Sequence, residues 1–100
     1  MDCVVVLKAI ANEIRLKIIA LLYQEPLSAS DLAKKVNKMG KTLSRQDIFS
    51  HLNVLVDGGI LGKKYDIVKK SIVYFPSFEE IRINLKLGTI NTDAESSNND

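Results

Sequence analysis

The sequence contains few of the residues on which catalysis and metal binding depend. Its 100 residues include one cysteine, Cys3, one histidine, His51, and no tryptophan. A single cysteine excludes a disulfide within the chain, and one Cys with one His supplies neither a zinc ligand set nor a nucleophile paired with a base. We therefore expect no enzyme activity, no cofactor and no metal.

Long apolar runs are also missing. No stretch approaches the roughly 20 apolar residues that cross a bilayer, and Asp2 stands where a secretory signal would carry positive charge. With 46% hydrophobic and 26% charged residues, the chain suits one small soluble domain. We expect a cytoplasmic protein whose small core favours a homodimer.

The net charge of +2 conceals an uneven distribution along the chain. Residues 34–70 contain nine Lys or Arg against three Asp, whereas residues 89–100 contain three acids and no base. A basic segment of this kind is typical of a surface that binds a polyanion. The acidic end has few core-forming residues, so we expect a folded domain over residues 1–88 and a disordered tail over residues 89–100.

Residues 43–61, LSRQDIFSHLNVLVDGGIL, predict a helix of about four turns. Ser44 followed three residues later by Asp47 is a capping pattern, and Gly58 with Gly59 supplies a helix end. Apolar residues recur at helical spacing and indicate a stripe that faces the core. These residues are Ile48, Leu52, Leu55 and Val56.

The other face of this helix carries side chains that suit DNA recognition. Arg makes paired hydrogen bonds to guanine and Asn or Gln to adenine, while Ser bonds either base edges or phosphate. The residues concerned are Arg45, Gln46, Ser50 and Asn53. An ordinary solvated helix face is the alternative interpretation.

Three shorter helices are predicted before this one. The first covers residues 4–10, the second covers residues 13–24 behind an Asn12 cap, and the third begins after Ser28. Leu27 is expected to form a one-residue strand. The connection NKMGKT, residues 37–42, is longer than the 3 or 4 residues usual in a helix-turn-helix, and it carries Lys38 and Lys41.

Two β-prone runs, residues 60–65 and 71–75, predict an antiparallel hairpin after the helix. Four lysines give this hairpin a strong positive charge; they are Lys63, Lys64, Lys69 and Lys70. A charged hairpin can also be a sheet edge protected against aggregation, and that interpretation stays open.

Ser77 and Glu80 predict a capping box that opens a last helix, which Gly88 ends. The first and last helices are both more apolar than a small domain can bury, so we expect them to form a homodimer interface. The predicted interface residues are Cys3, Val4, Val6, Leu7, Phe78, Ile81 and Leu85. Apolar burial, rather than a Cys3 disulfide between subunits, is expected to hold the dimer.

Two segments resemble the ArsR-type winged helix-turn-helix repressors. LKAIANEIRLKIIALLYQEPLSASDLAKKV is similar to the family pattern LKALADPTRLRILRLL followed by ELSVGELA, and LSRQDIFSHLNVLVDGGIL is similar to LSQSTVSHHLKVLREAGLV. The resemblance covers about residues 7–76. It implies an α+β, mainly α fold, a winged helix-turn-helix with a two-stranded β-hairpin wing and flanking dimerisation helices.

The resemblance also implies a function, that of a double-stranded DNA-binding transcriptional regulator. The helix over residues 44–57 would enter the major groove, and the wing would lie on the flanking backbone. The predicted DNA contacts are Lys41, Thr42, Ser44, Arg45, Gln46, Phe49, Ser50, Asn53, Lys63, Lys64, Lys69 and Lys70. The alternative function is a winged-helix module that binds protein through Phe49, Ile67 and Val68.

The sequence departs from the metal sensors of that family. Ser28-Ala29-Ser30 stands where arsenic and lead sensors carry Cys-Val-Cys, and hydroxyls are poor ligands for soft metals. Residues 78–87 contain no His, which the zinc sensors use in their last helix. Metal sensing is therefore not expected. We interpret His51 as a structural residue and Tyr65 and Tyr74 as packing residues of the hairpin.

Overall fold

The computed structural model describes residues 2–40 and 42–93. Within them, four helices are followed by two β-hairpins. The elements are α1 (Cys3–Ile10), α2 (Glu13–Gln24), α3 (Ala29–Lys38), α4 (Arg45–Asp57), β1 (Leu61–Asp66), β2 (Ser71–Pro76), β3 (Ile81–Asn84) and β4 (Thr89–Thr92). The order of the four helices and the first hairpin is the winged helix-turn-helix order that the sequence predicted.

Each helix begins at a side chain that accepts a hydrogen bond from the first turn. Such caps satisfy backbone N–H groups that have no partner inside the helix. In α4 the bonds are reciprocal: the Asp47 N–H donates to Ser44 Oγ at 3.1 Å, and the Ser44 N–H donates to Asp47 Oδ2 at 3.0 Å. The predicted capping box is confirmed. The other N-caps are Asp2, Asn12 and Ser28.

One hydrophobic core lies between the helices. Its fully buried side chains include Val6, Ile18, Leu32, Val36, Ile48, Leu52 and Leu55. Burying an aliphatic side chain of this size contributes about 1.5–3 kcal/mol. The predicted core stripe of α4 is therefore confirmed at Ile48, Leu52 and Leu55, while Val56 is half-buried at the edge of the core.

The first hairpin is the wing. Strands β1 and β2 pair antiparallel, with Leu61 opposite Pro76 and Asp66 opposite Ser71. Leu27 adds one antiparallel bridge to Tyr74, as predicted, and the Tyr74 N–H donates to the Leu27 carbonyl at 2.9 Å. This bridge joins the wing to the connection between α2 and α3, so the wing and the helix-turn-helix are parts of one unit.

The prediction of a last helix, beginning after Ser77 and ending at Gly88, is wrong. Residues 81–92 form a second antiparallel hairpin, in which Ile81 pairs with Thr92 and Ile83 with Ile90. β-Branched residues that alternate along a strand favour a sheet, and Ile90 of β4, paired with Ile83 of β3, is buried. The expected capping box does not form either: the N–H groups of Glu79 and Glu80 donate to the Asp93 carboxylate.

The domain boundary and the dimer residues need correction as well. Residues 89–92, predicted to be disordered, form β4, while residues 94–100 lie outside the described residues. Val6, predicted for the dimer interface, is fully buried in the core of its own chain. Ile81 and Phe78 are half-buried against that core, and Leu85, 90% exposed, lies in the turn of the second hairpin rather than on a helix.

None of the helices in the described part of the chain has the length and apolar character required to cross a membrane.

Candidate nucleic-acid interface

The exposed face of α4 forms one wall of a groove. Arg45, Phe49 and Asn53 are spaced four residues apart, so their side chains lie above one another on the same face of the helix. All three line a groove of about 1070 Å³. The wing forms the opposite wall, and its lining residues include Lys63, Lys64, Tyr65 and Lys69.

The groove has a positive lining. Its cations are Arg45 on α4 and three lysines on the wing, whereas Asp31 is its acidic residue. The N-terminal end of α3 also lines the groove, through Ser28, Ala29 and Ser30. The N-terminal end of a helix carries a partial positive charge, which adds to that of the lysines. The groove therefore offers a favourable electrostatic environment to a polyanion.

Two wing lysines are held by identifiable contacts. The Lys69 ammonium donates to the Pro26 carbonyl at 3.0 Å, so the wing is tied to the connection between α2 and α3. The Lys64 ammonium lies 5.5 Å from the centroid of the Phe75 ring, a cation–π distance. These contacts restrict the two side chains without neutralising their charge.

Gly62 makes the position of Phe75 possible. A Cβ atom at residue 62 would lie 2.6 Å from Phe75 Cζ, closer than real Cβ contacts allow. Gly62 pairs directly with Phe75 across the wing, so the ring can occupy the space above the glycine, where it also contacts the Lys64 ammonium. The glycine thus helps to position a charged residue of the groove.

The connection between α3 and α4 is fixed by one side chain that the sequence reasoning missed. Asn37 Oδ1 accepts from the Leu43 N–H at 2.8 Å, and Asn37 Nδ2 donates to the Leu43 carbonyl at 3.1 Å. Leu43 directly precedes the cap of α4, so these two bonds set where α4 begins. An Asn next to a Gly-containing connection is a typical turn residue, so the sequence itself indicates this role for Asn37.

The predicted DNA contacts within the described residues are all exposed. Those that the structure brings together in the groove are Arg45, Phe49, Asn53, Lys63, Lys64 and Lys69. Gln46 and Ser50 lie beside it on α4, while Lys41 lies outside the described residues. Two predicted hydroxyls already make helix bonds: Ser44 Oγ caps α4, and Ser50 Oγ donates to the Gln46 carbonyl.

Several groove residues were not predicted as contacts. Ser28, Ser30 and Ser71 line it, and so do Tyr65 and Ile72. Tyr65 is 59% exposed and lies directly opposite Ile72 across the wing, whereas Tyr74 is buried. Burial raises the pKa of the Tyr74 hydroxyl above its ordinary value.

His51 lies outside the groove lining. It is half-buried, and burial lowers the pKa of its imidazole below the ordinary value of 6.5. The nearby Arg15 lowers that pKa further, and Asp47 acts in the opposite direction. Within residues 2–40 and 42–93, no three His, Cys, Asp or Glu side chains converge as the ligands of a metal ion would.

Known structures with similar folds include bacterial regulators. HlyU from Vibrio cholerae is 25% identical, with a TM-score of 0.64 over 96% of this chain and 83% of that one. The transcriptional regulator HlyU from Vibrio vulnificus is 32% identical, with a TM-score of 0.61 over 76% of this chain and 72% of that one.

The ferric uptake regulator of Vibrio cholerae is 25% identical, with a TM-score of 0.61 over 87% of this chain and 72% of that one. No protein-family model and no curated protein matches the sequence. The similarity to HlyU and to the ferric uptake regulator therefore rests on solved structures. For HlyU from Vibrio cholerae it covers 96% of the chain and so includes both α4 and the wing.

Proposed function

The chain belongs to the winged-helix transcriptional regulators, and we propose that it is an ArsR-type member that binds specific double-stranded DNA sequences as a homodimer. The single observation that carries this proposal is the groove, because it sets base-reading side chains on α4 opposite lysines on the wing. The similarity to HlyU from Vibrio cholerae, which covers 96% of the chain and so includes both elements, supports it.

Helix α4 has the dimensions and side chains for the major groove. An α-helix with side chains is about 10–12 Å across, and the major groove is about 12 Å wide. Arg45 pairs with guanine and Gln46 or Asn53 with adenine in this arrangement. Phe49, 37% exposed between Arg45 and Asn53, contacts a thymine methyl group.

The wing lysines bind phosphates. Lys63, Lys64, Lys69 and Lys70 are all exposed, and three of them line the groove opposite α4. With α4 in the major groove, one sugar–phosphate strand lies between α4 and the wing. Contacts of this kind fix the register of the protein on DNA but do not read its sequence.

The homodimer uses the exposed side of α1 together with the second hairpin. Val4 is 58% exposed and Leu7 is 37% exposed on α1, and Leu85 is 90% exposed in the turn of the second hairpin. Cys3, which directly precedes Val4, is half-buried, and so are Phe78 and Ile81, which precede Leu85 in the chain. A two-fold dimer would present two copies of α4 to half-sites about 34–36 Å apart.

Two substitutions separate base reading from phosphate binding. Duplexes recovered from a random pool by the wild-type protein serve as specific DNA, and a scrambled duplex serves as the non-specific control. Arg45→Ala is expected to cost about 1–3 kcal/mol on the specific duplex and to relax preference at one base position. Lys63→Ala is expected to weaken both duplexes alike and to reduce the salt slope by about one.

Lys17→Ala is the matched control, because it removes a lysine of α2 that lies outside both the groove and the proposed dimer interface. It should leave both affinities unchanged. If Arg45→Ala weakened neither duplex, base reading by α4 would be refuted.

A module that binds protein is the second candidate function. Ile67 is 81% exposed and Val68 is 91% exposed at the wing tip, and Phe49 is exposed on α4. This candidate function predicts that the wild-type protein selects no duplex from the random pool, and the same selection experiment tests that prediction.

A further inference from the structure

The wing tip exposes two aliphatic side chains that neither the turn nor the core explains. Ile67 and Val68 are the first residues of the turn between β1 and β2, and they are 81% and 91% exposed. β-Branched residues favour strands, whereas Gly, Asn, Asp and Pro dominate tight turns. A pair that breaks the local rule without contributing to folding indicates a role in binding.

Hydrogen bonds restrain the turn at the wing tip. The Lys69 N–H donates to Asp66 Oδ1 at 2.9 Å, and Lys70 takes the left-handed conformation, with φ of 54°. The Lys69 ammonium anchors the same turn to the Pro26 carbonyl. Because the turn is tied at its base and to the helical part of the domain, Ile67 and Val68 project from a fixed support.

The charges around the tip identify its occupant. Four lysines lie on the same hairpin, two directly after the apolar pair and two on β1. An apolar pocket on a protein would have to desolvate the neighbouring ammonium groups, which is unfavourable. A DNA groove instead offers phosphates along both walls and stacked bases between them, so it matches apolar side chains flanked by cations.

We propose that Ile67 and Val68 enter the minor groove beside the major groove occupied by α4, wedge into a base step and kink the duplex. This inference rests on the proposed DNA-binding function. The minor groove is about 6 Å wide, too narrow for a helix but accessible to the side chains of a turn. Wedges of this type unstack a step and kink DNA by about 20–90°.

A flexible step is the expected position of the wedge. Pyrimidine–purine steps such as TA and CA unstack most easily. We therefore expect the duplexes selected by the wild-type protein to carry such a step where the wing tip lies, outside the bases that α4 contacts.

Bending and local unstacking are the two measurements. The probe is a selected duplex with a donor and an acceptor dye at its ends, or with 2-aminopurine at the flexible step. Wild-type protein is expected to raise energy transfer and to increase 2-aminopurine fluorescence. The variant I67S/V68S is expected to lose both signals while its salt slope stays unchanged, because the slope counts phosphates neutralised by lysine.

Two further variants serve as controls. I67V/V68I retains two aliphatic side chains and is expected to restore most of the bend. Leu16→Ser removes an exposed aliphatic residue, 53% exposed, from α2, outside both the groove and the proposed dimer interface, and should leave the bend at the wild-type value. All the replaced side chains are exposed, so equal unfolding midpoints are expected and serve as the check on folding.

The outcomes separate the inference from the function on which it rests. If wild-type protein binds the duplex but leaves it straight, or if I67S/V68S bends it equally, the wedge is refuted and DNA binding stands. If the wild-type protein binds no duplex, the proposed function is refuted and the wedge with it.

Discussion

The substitution Asn37→Ala tests how the connection between α3 and α4 positions α4. The side-chain amide of Asn37 makes two hydrogen bonds to the backbone of Leu43, at 2.8 and 3.1 Å. A typical hydrogen bond contributes about 0.5–1.5 kcal/mol net, and both of these are exposed, so the lower values apply. Asn37→Ala should therefore destabilise the domain by about 1 kcal/mol.

For a domain of this size, that loss lowers the midpoint of thermal unfolding by roughly 4–8 °C. Circular dichroism measures it directly. Asn37→Asp is the matched control, because its carboxylate still accepts from the Leu43 N–H but has no donor for the Leu43 carbonyl. Its midpoint should fall between those of the wild type and Asn37→Ala.

DNA affinity supplies a second measurement, taken well below the unfolding midpoint so that each variant stays folded. Asn37→Ala should bind a selected duplex more weakly than wild type, because the start of α4 must then be ordered on binding. Leu52→Ala, which removes a fully buried side chain, is more destabilising at about 2–5 kcal/mol but leaves the turn intact. An unchanged midpoint in Asn37→Ala would refute the assigned role of this side chain.

Three other predictions address the wing, the half-buried His51 and the dimer. Gly62→Ala should cost about 1–3 kcal/mol, because the new methyl group displaces the Phe75 ring; in a Phe75→Ala background that cost should vanish in chemical denaturation. Folding lowers the pKa of His51 below its ordinary value of 6.5. The neutral imidazole therefore contributes stability at pH values above 6.5, and this contribution is lost as the pH falls through the lower pKa of the folded state. His51→Gln should flatten the pH dependence of urea unfolding in this range, and an unaltered profile would contradict the assignment. Light scattering should give twice the chain mass of 11.1 kDa for both wild type and Cys3→Ser, with or without reductant, whereas a monomeric mutant would show that the thiol holds the subunits together.

Helix α4 and the second hairpin show what the sequence can and cannot predict. The Ser44–Asp47 capping box and the buried stripe of α4 depend on residues three or four apart, so local spacing predicts them. Ile81 and Leu85 also fit helical spacing, while Ile81 and Ile83 fit the alternation of a strand. Pairing with residues 89–92 decides between the two, and that contact is not local.

The groove shows the same limit. The sequence predicts which side chains suit DNA, but it does not show which of them face one another. The bonds from Asn37 to Leu43 and from Lys69 to Pro26, and the contact of Phe75 with Gly62, depend on how the helices and the wing pack. Such tertiary contacts bring Arg45 opposite the wing and leave Gln46 beside the groove.

The salt dependence of wild-type binding to duplex DNA tests the central claim most directly. Each phosphate neutralised by a lysine contributes about −0.9 to the slope of log affinity against log salt concentration. With four wing lysines on phosphates, we expect a slope of about −3 to −4 per protomer, and about twice that for a dimer. A slope near zero between 50 and 200 mM salt, or no binding to any duplex at the lower concentration, would contradict the account.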